Sequence, residues 1–384
     1  LEKSPDDRFE SAHDLARMLR AVSDTGEVPT VFPTRPKRRR WLRPAVAAAG
    51  IAIAAVAGWK LLNLQPAGIP EVRHIVVLPF EAAGDDPESR FLAAGLAETV
   101  ADGLTIMEHE TRGATWVVPP SPRLTLEEAR KTHNVTIGVR GVFNSGVEWV
   151  GLNLELVDAA SGRTLVRRSL DESVRNLPRL LKDPLRMVWE LLGFEATPTA
   201  LEELDEFSTN TVTSCRAYIS GRGRLSTAGG EEELEAAVAS LEQAVEEDPG
   251  YAPARIVLAR AFARLFELTR QERWKERAVA EAEYAIGLDD DAAAPYRVLG
   301  TLHGIAGESQ LELKAHRLAA ARAKTAEPFW ALGRAAINAG EFEEAEAALQ
   351  TAINRRPDCF DVHDRLGRLY LQMGRYDAAA NEFR

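Results

Sequence analysis

The sequence has few of the residues that disulfide staples and basic nucleic-acid surfaces require. Its 384 residues include only two cysteines, Cys215 and Cys359, so no disulfide framework is expected. Acidic residues outnumber basic ones, 58 to 47, and the net charge of −11 argues against nucleic acid as a partner. His109 has no second ligand at a helical or C-x-x-C spacing, so no metal site is expected either. The 45% of hydrophobic residues is typical of a folded chain. The length of 384 residues predicts two or three domains.

Charge is distributed unevenly along the chain. Residues 1–43 carry a net charge of +3, and the remainder carries −14. Residues 44–64 begin with sixteen uncharged residues and are long enough for a helix of about 30 Å, the thickness of a bilayer's hydrocarbon core. We therefore expect one transmembrane helix here, in the inner membrane, with Trp41 and Trp59 at its interfaces. Six basic residues precede it: Arg35, Lys37, Arg38, Arg39, Arg40 and Arg43.

This basic cluster predicts the orientation of the chain. Under the positive-inside rule, residues 1–43 are expected in the cytoplasm and the residues after 64 in the periplasm. Two alternatives for residues 44–64 remain, a buried alanine-rich helix and the apolar core of a signal peptide. Gly50, Ala54 and Gly58 form a row of small residues, which predicts close packing of two such helices in a homodimer.

Residues 1–22 predict a turn and one short amphipathic helix, and residues 23–43 an extended basic juxtamembrane linker. The pattern L-x-K-x-P-x-x-R-F followed by S-A-x-x-L resembles the C-terminal end of a bacterial serine/threonine protein kinase domain. By that resemblance, Arg8 would pair with the glutamate that closes the activation segment. The matching residues are Leu1, Lys3, Pro5, Arg8, Phe9, Ser11, Ala12 and Leu15.

The catalytic motifs of a kinase are absent from the chain. It contains no glycine-rich loop followed by V-A-I-K, no H-R-D and no D-F-G. We therefore expect no catalytic residue and no cofactor in this sequence. The resemblance implies that a kinase lobe, with its ATP and Mg²⁺, would precede Leu1.

Residues 70–197 change hydrophobic period several times, which predicts the order β-α-β-α-β-β-β-α. We expect a mixed sheet with helices on one side and a closing helix over residues 174–192. The segments V-V-L-P-F at 76–80 and L-V-D-A-A-S-G at 156–162 resemble the TolB-like amino-terminal domain of bacterial membrane regulators. That resemblance implies an extracytoplasmic binding or assembly domain.

Residues 211–384 predict an all-α solenoid. Leu332-Gly333 recurs 34 residues later as Leu366-Gly367, and Gly340 recurs as Gly374, a spacing that resembles tetratricopeptide repeats. We count five helix pairs, the last of them cut short. The expected fold class is therefore an α/β mixed-sheet domain followed by an all-α tetratricopeptide solenoid, with one transmembrane helix near the N-terminus.

One position recurs in the first helix of four repeats, two residues after the key leucine. It holds arginine in three repeats and Thr301 in the other. In repeats that this sequence resembles, the position faces the concave groove, where a row of arginines would hold a carboxylate-rich peptide. The alternative is that each arginine pairs with an acidic residue of its own or the next repeat. The candidate groove residues are Arg260, Arg334, Arg368, Trp330 and Asn338.

These observations predict the membrane-anchored sensory or scaffolding portion of a bacterial serine/threonine kinase. Its expected partners are a protein or peptide bound by the repeats, the lipid bilayer and a second copy of the chain. The alternatives are a membrane-tethered transcription regulator, with a DNA-binding domain upstream, and an assembly adaptor.

Overall fold

A computed structural model describes the chain from residue 73 onward, with short gaps. The predicted transmembrane helix, the linker and the kinase-like segment lie outside the described residues, and with them Arg8, Gly50, Ala54 and Gly58. Within the described part, no helix is both long and apolar enough to cross a membrane. All described residues belong to one compact unit. They are residues 73–111, 115–118, 121, 124–206, 208–357 and 359–383.

The first half of the described chain is a mixed β-sheet, as predicted. Its strands lie in the order β3-β1-β4-β5-β6, with the short β2 beside β4. Strand β1 is parallel to β3 and β4, whereas β4, β5 and β6 form an antiparallel meander. The strands are β1 (Arg73–Val77), β2 (Glu81–Ala82), β3 (Thr115–Val118), β4 (Ile137–Ser145), β5 (Trp149–Asp158) and β6 (Thr164–Ser173).

Helices cover both faces of this sheet, so the expectation of helices on one side only is wrong. Strand β1 explains the difference, because all five of its residues are buried. Ile75 and Val77 lie in the core beneath helix α1 (Pro87–Glu110), whereas Val76 packs with helix α2 (Leu126–His133) on the opposite face. Because both faces of this central parallel strand are covered, its consecutive residues Ile75, Val76 and Val77 are all apolar.

The closing helix predicted over residues 174–192 is two elements in the structure. A 3₁₀ helix, Val174–Leu181, precedes α3 (Asp183–Leu191). Pro178 lies inside the 3₁₀ segment and Asn176 has non-helical backbone angles, which together prevent a regular α-helix. A further helix, α4 (Pro198–Glu206), was not predicted from the sequence.

The second half of the described chain consists of five consecutive helix pairs, which confirms the predicted solenoid. In the third to fifth pairs, a glycine with positive φ follows the first helix, as at Gly340 (φ 81°) and Gly374 (φ 73°), and turns the chain into the second helix. The helices are α5 (Val212–Thr227), α6 (Glu231–Glu247), α7 (Ala252–Thr269), α8 (Glu272–Leu288), α9 (Ala293–Ala306), α10 (Ser309–Ala321), α11 (Glu327–Ala339), α12 (Phe342–Arg355), α13 (Phe360–Gln372) and α14 (Tyr376–Glu382).

A second glycine lies inside the first helix of these last three pairs and receives a side chain from the second helix. A Cβ atom at Gly333 would lie 2.6 Å from Leu349, and one at Gly367 would lie 2.6 Å from Phe383. In the third pair, the residue that packs against Gly300 in this way is His316. Small residues at this position allow the two helices to approach closely, with the partner side chain filling the space.

The sheet and the repeats meet where helix α1 crosses helix α5. A Cβ atom at Gly95 would lie 1.8 Å from the carbonyl oxygen of Ile219, and one at Gly223 would lie 1.9 Å from that of Phe91. Around this crossing, one hydrophobic core continues from the sheet through α1 into α5 and α7. The ranges predicted from the sequence, 70–197 and 211–384, therefore share a core.

Gly223→Ala tests this crossing. The added methyl group would meet backbone atoms, which cannot move without separating the helices, so we expect the free energy of unfolding to fall by about 3 kcal/mol. Chemical denaturation of the purified chain measures this change. The matched control is Gly287→Ala in α8, where the new Cβ atom meets nothing within 4 Å. That control should raise stability by about 0.5–1 kcal/mol, and equal effects of the two substitutions would contradict the close crossing.

Candidate functional site: a groove between α1 and the repeats

A groove of about 1340 Å³ lies along the first helices of the repeats. Helices α5, α7, α9 and α11 form one wall, as expected for the concave face of a solenoid. The other wall was not foreseen, because it is helix α1 of the sheet region, which contributes Glu98, Asp102 and Thr105. The groove is therefore built from both halves of the described chain.

The structure brings together three of the five candidate groove residues. Arg260, Arg334 and Trp330 line the groove, and so does Thr301. Arg368 and Asn338 are not among the lining residues. The exposed Arg368 side chain donates a hydrogen bond to Asp364 one turn earlier, at 2.8 Å, and Asn338 donates one to Glu312 at 3.3 Å.

The predicted alternative, pairing with an acidic residue of the same or the next repeat, describes only Arg368, because the partner of Arg334 belongs to the preceding repeat. Arg368 pairs with Asp364 of its own repeat, and Arg334 lies 3.5 Å from Glu312 of the preceding repeat. Arg260 differs, because no carboxylate oxygen of the described residues lies within ion-pair distance of its guanidinium. Desolvation by the surrounding protein is the main cause of the lowered pKa of Arg260. The Arg260 side chain nevertheless remains exposed to solvent and faces the groove without a direct partner among the described residues.

Arg222 of α5, which the sequence did not single out, joins the two walls. It is almost fully buried and donates hydrogen bonds to Asp102 of α1 at 2.7 Å and to the Tyr218 hydroxyl at 2.8 Å. Burial acts to lower the pKa of Arg222, but Tyr218, Asp102 and Glu98 outweigh it and the pKa is raised. Burial likewise acts to raise the pKa of Asp102, but Arg222, with Arg260 and Arg297, holds it below its usual value. The pair is therefore charged and fixes α1 against α5.

Arg297 completes the arginine row at the repeat where the sequence pattern shows Thr301. It lies one turn before Thr301 on α9, lines the groove, and pairs with Glu327 of α11 at 2.9 Å. The sequence contains this signal, because residues four apart on a helix share a face. Arg264 also lines the groove, but its guanidinium donates to the backbone carbonyls of Leu225 and Ala228, which gives it a structural role.

His316 of α10 is a buried titratable group at the groove whose pKa is strongly lowered. It lines the groove, yet only 1% of the residue is exposed, and neither ring nitrogen has a hydrogen-bond partner among the described residues. Desolvation, followed by the positive charges of Arg334 and Arg297, lowers the pKa of His316 from 6.5 to about 4. The imidazole is therefore neutral at physiological pH. No group of His, Cys, Asp and Glu side chains in the described ranges is arranged to hold a metal ion.

This buried histidine predicts a pH-dependent stability. Its pKa is lower in the folded chain, so the unfolded chain binds more protons between pH 6.5 and 4 and stability falls as the pH decreases through that window. Between pH 7 and 5 the loss should be about 2 kcal/mol. His316→Leu removes the titrating group and places there the residue type that the fourth pair has, Leu349. Denaturation of both proteins across this pH range is the measurement, and a stability difference that stays constant with pH would refute the prediction.

The sequence comparison with known families agrees with the repeat architecture of residues 331–384. Residues 331–384 match the sequence model of the tetratricopeptide repeat family. A MamA protein structure is 19% identical over 44% of this chain and 88% of its own, with a TM-score of 0.37. The thermophilic TPR protein TTC0263 of Thermus thermophilus is 20% identical over 52% of this chain and 99% of its own, with a TM-score of 0.39.

MamA 41-end from Desulfovibrio magneticus RS-1 is 20% identical over 39% of this chain and 82% of its own, with a TM-score of 0.34. No curated protein matches the sequence significantly. The chain thus contains tetratricopeptide repeats, an architecture that indicates interaction with other proteins.

Proposed function

We propose that this chain binds a carboxylate-rich segment of a partner protein in the groove between α1 and the repeats. Arg260 carries the proposal, because it is a solvent-exposed cation on the groove wall without a direct partner among the described residues. A volume of about 1340 Å³ exceeds the roughly 300–1,000 Å³ of typical small-molecule pockets, which favours a peptide segment.

The groove as a whole is lined by six carboxylates and five arginines, so it is the local surroundings of Arg260 that favour an anionic ligand. Arg222 is held by Asp102, Arg297 lies against Glu327, and Arg264 is bonded to backbone carbonyls. The positive charge of Arg260 therefore remains unpaired among the described residues, and a negatively charged ligand group can pair with it. A carboxylate that reaches this guanidinium forms a charge-assisted hydrogen bond, which is stronger than a hydrogen bond between neutral groups.

Arg260→Gln tests this assignment with a defined probe. Loss of a hydrogen bond to a charged group costs about 1.5–3 kcal/mol, so we expect the affinity for a labelled hexaglutamate peptide to fall by about tenfold or more. Fluorescence anisotropy with the full chain measures it, with a hexaglutamine peptide to separate charge from length. Arg368→Gln is the matched control, because Arg368 is exposed and outside the groove. Equal binding by the two variants, or of the two peptides, would refute the proposal.

We further propose that the described region is the periplasmic, partner-binding part of a single-pass receptor kinase. Its support lies in the sequence, where a kinase-like segment, a basic cluster and an uncharged stretch follow one another in residues 1–64. In this arrangement, a partner in the groove would change how the spans pair and hence how close the kinase lobes lie. The ATP and Mg²⁺ of phosphotransfer would be bound upstream of residue 1.

Labelling with a membrane-impermeant maleimide tests the topology. Cys359→Ser leaves Cys215, which is fully buried and whose thiol pKa is raised by burial, so this background should stay unlabelled. Adding the exposed Lys314→Cys should give labelling of intact cells, whereas Ser23→Cys should react only after lysis. Labelling of Lys314→Cys only after lysis would overturn the periplasmic placement.

The coding sequence upstream of residue 1 separates the kinase from its alternatives. A glycine-rich loop, H-R-D and D-F-G would support the kinase. A basic recognition helix in their place would identify a tethered transcription regulator. If the upstream sequence contained neither, the assembly adaptor would be favoured.

A further inference from the structure

The third repeat departs from its neighbours at one position inside the groove. The residue that packs against the glycine of the first helix is Leu349 in the fourth pair and Phe383 in the fifth, but it is His316 in the third. An apolar side chain satisfies this contact without leaving any polar atom buried. A histidine there leaves two ring nitrogens without hydrogen bonds among the described residues, which is costly unless something else uses them.

Two arginines flank this histidine, one from each neighbouring first helix. Arg297 comes from α9 and Arg334 from α11, and all three residues line the groove. The Arg334 guanidinium is 3.5 Å from Glu312, too far for a good hydrogen bond, and its Nε atom has no hydrogen-bond partner in the described ranges. His316 on α10 and Arg334 on α11 therefore each carry buried ring or guanidinium nitrogens without hydrogen-bond partners in the described ranges.

We infer that Arg297, His316 and Arg334 form an oxyanion-binding subsite of the groove. The subsite takes one carboxylate or another compact oxyanion, which accepts hydrogen bonds from the imidazole and the guanidinium groups. This inference rests on the proposed function, because it assigns a particular anchoring point within the same groove.

The charges around His316 agree with an anion as the ligand. The groups concerned are Arg297 on α9, Glu312 on the histidine's own helix α10, and Arg334 and Glu327 on α11. The charges that act on the imidazole are those of Arg334 and Arg297, both positive. Glu327 lies against Arg297, and the buried Glu312 accepts a hydrogen bond from Asn338.

An oxyanion bound at this point would also change the protonation of His316. The bound negative charge would raise the pKa of the imidazole above its value of about 4 in the free chain. By linkage, the chain would bind the anion more tightly as the pH decreases. Neutral imidazole still donates one N–H, so the contact also forms at physiological pH.

The experiment uses inorganic sulfate as the first probe, with the full 384-residue chain in detergent. Nuclear magnetic resonance of the histidine ring signals should show that sulfate shifts those of His316 and raises its pKa. His316→Leu and Arg297→Gln should each lower the affinity for sulfate by about tenfold or more. His316→Leu keeps the apolar contact that the fourth pair makes, so it should fold, and thermal denaturation checks this. Arg368→Gln serves as the control outside the groove and should bind sulfate like the wild type.

The hexaglutamate peptide then identifies the source of the oxyanion. Competition between the peptide and sulfate would show that the subsite holds a carboxylate of a protein segment. If sulfate binds and the peptide does not displace it, the subsite binds a free inorganic anion. That result would count against the proposed function. If the peptide binds but His316→Leu and Arg297→Gln bind it like the wild type, the subsite is refuted while the proposed function stands. Ring signals that neither ligand moves would also refute the subsite.

Discussion

The close crossing of α1 and α5 is the constraint on which the candidate site depends. Because Gly95 and Gly223 have no side chains, the two helices touch backbone to backbone. Glu98 and Asp102 lie about one and two turns after Gly95 on the same side of α1, so they face the repeats. Asp102 there accepts a hydrogen bond from the buried Arg222. A larger residue at either glycine would separate the helices, and the groove would lose one of its walls.

The charges of the groove are arranged across elements rather than within them. Asp102 of α1 holds Arg222 of α5, and Glu327 of α11 lies against Arg297 of α9. Each pair joins two helices, so it forms only when the fold is complete. Burial makes such pairs expensive to break, because a guanidinium left alone in the interior has lost its solvation. Arg260 has no such partner among the described residues, so its charge stays available for a ligand.

The sequence predicted what depends on local patterns. Five helix pairs and most strands followed from apolar periodicity and from glycines at fixed spacing. The position of α1 could not be predicted in this way, because the contact between Asp102 and Arg222 joins residues 120 positions apart. The 3₁₀ segment was not predicted, because its leucines have the spacing of an α-helix although Pro178 interrupts the backbone.

Parts of the candidate site were present in the sequence but were not recognised there. Comparing one position across the repeats identified Arg260 and Arg334 as groove residues. The same comparison missed Arg297, which lies one turn earlier on its helix and also lines the groove. His316 could have been found by comparing the repeats, since Leu349 stands at the corresponding position of the next pair. Arg368 has the position of a groove residue in the pattern, but in the structure it bonds to Asp364 on its own helix.

The sheet region also contacts the repeats away from the crossing of α1 and α5. These contacts are weaker than the crossing. Arg356, which follows α12, stacks on the ring of Trp116 in β3 at 3.6 Å, and Lys324 pairs with Glu203 of α4. Such side-chain contacts contribute about 1–2 kcal/mol at most when partly exposed. The crossing of α1 and α5 is instead part of a continuous hydrophobic core, in which each buried leucine contributes about 1.5–3 kcal/mol. The groove is therefore held most firmly at its α5 wall.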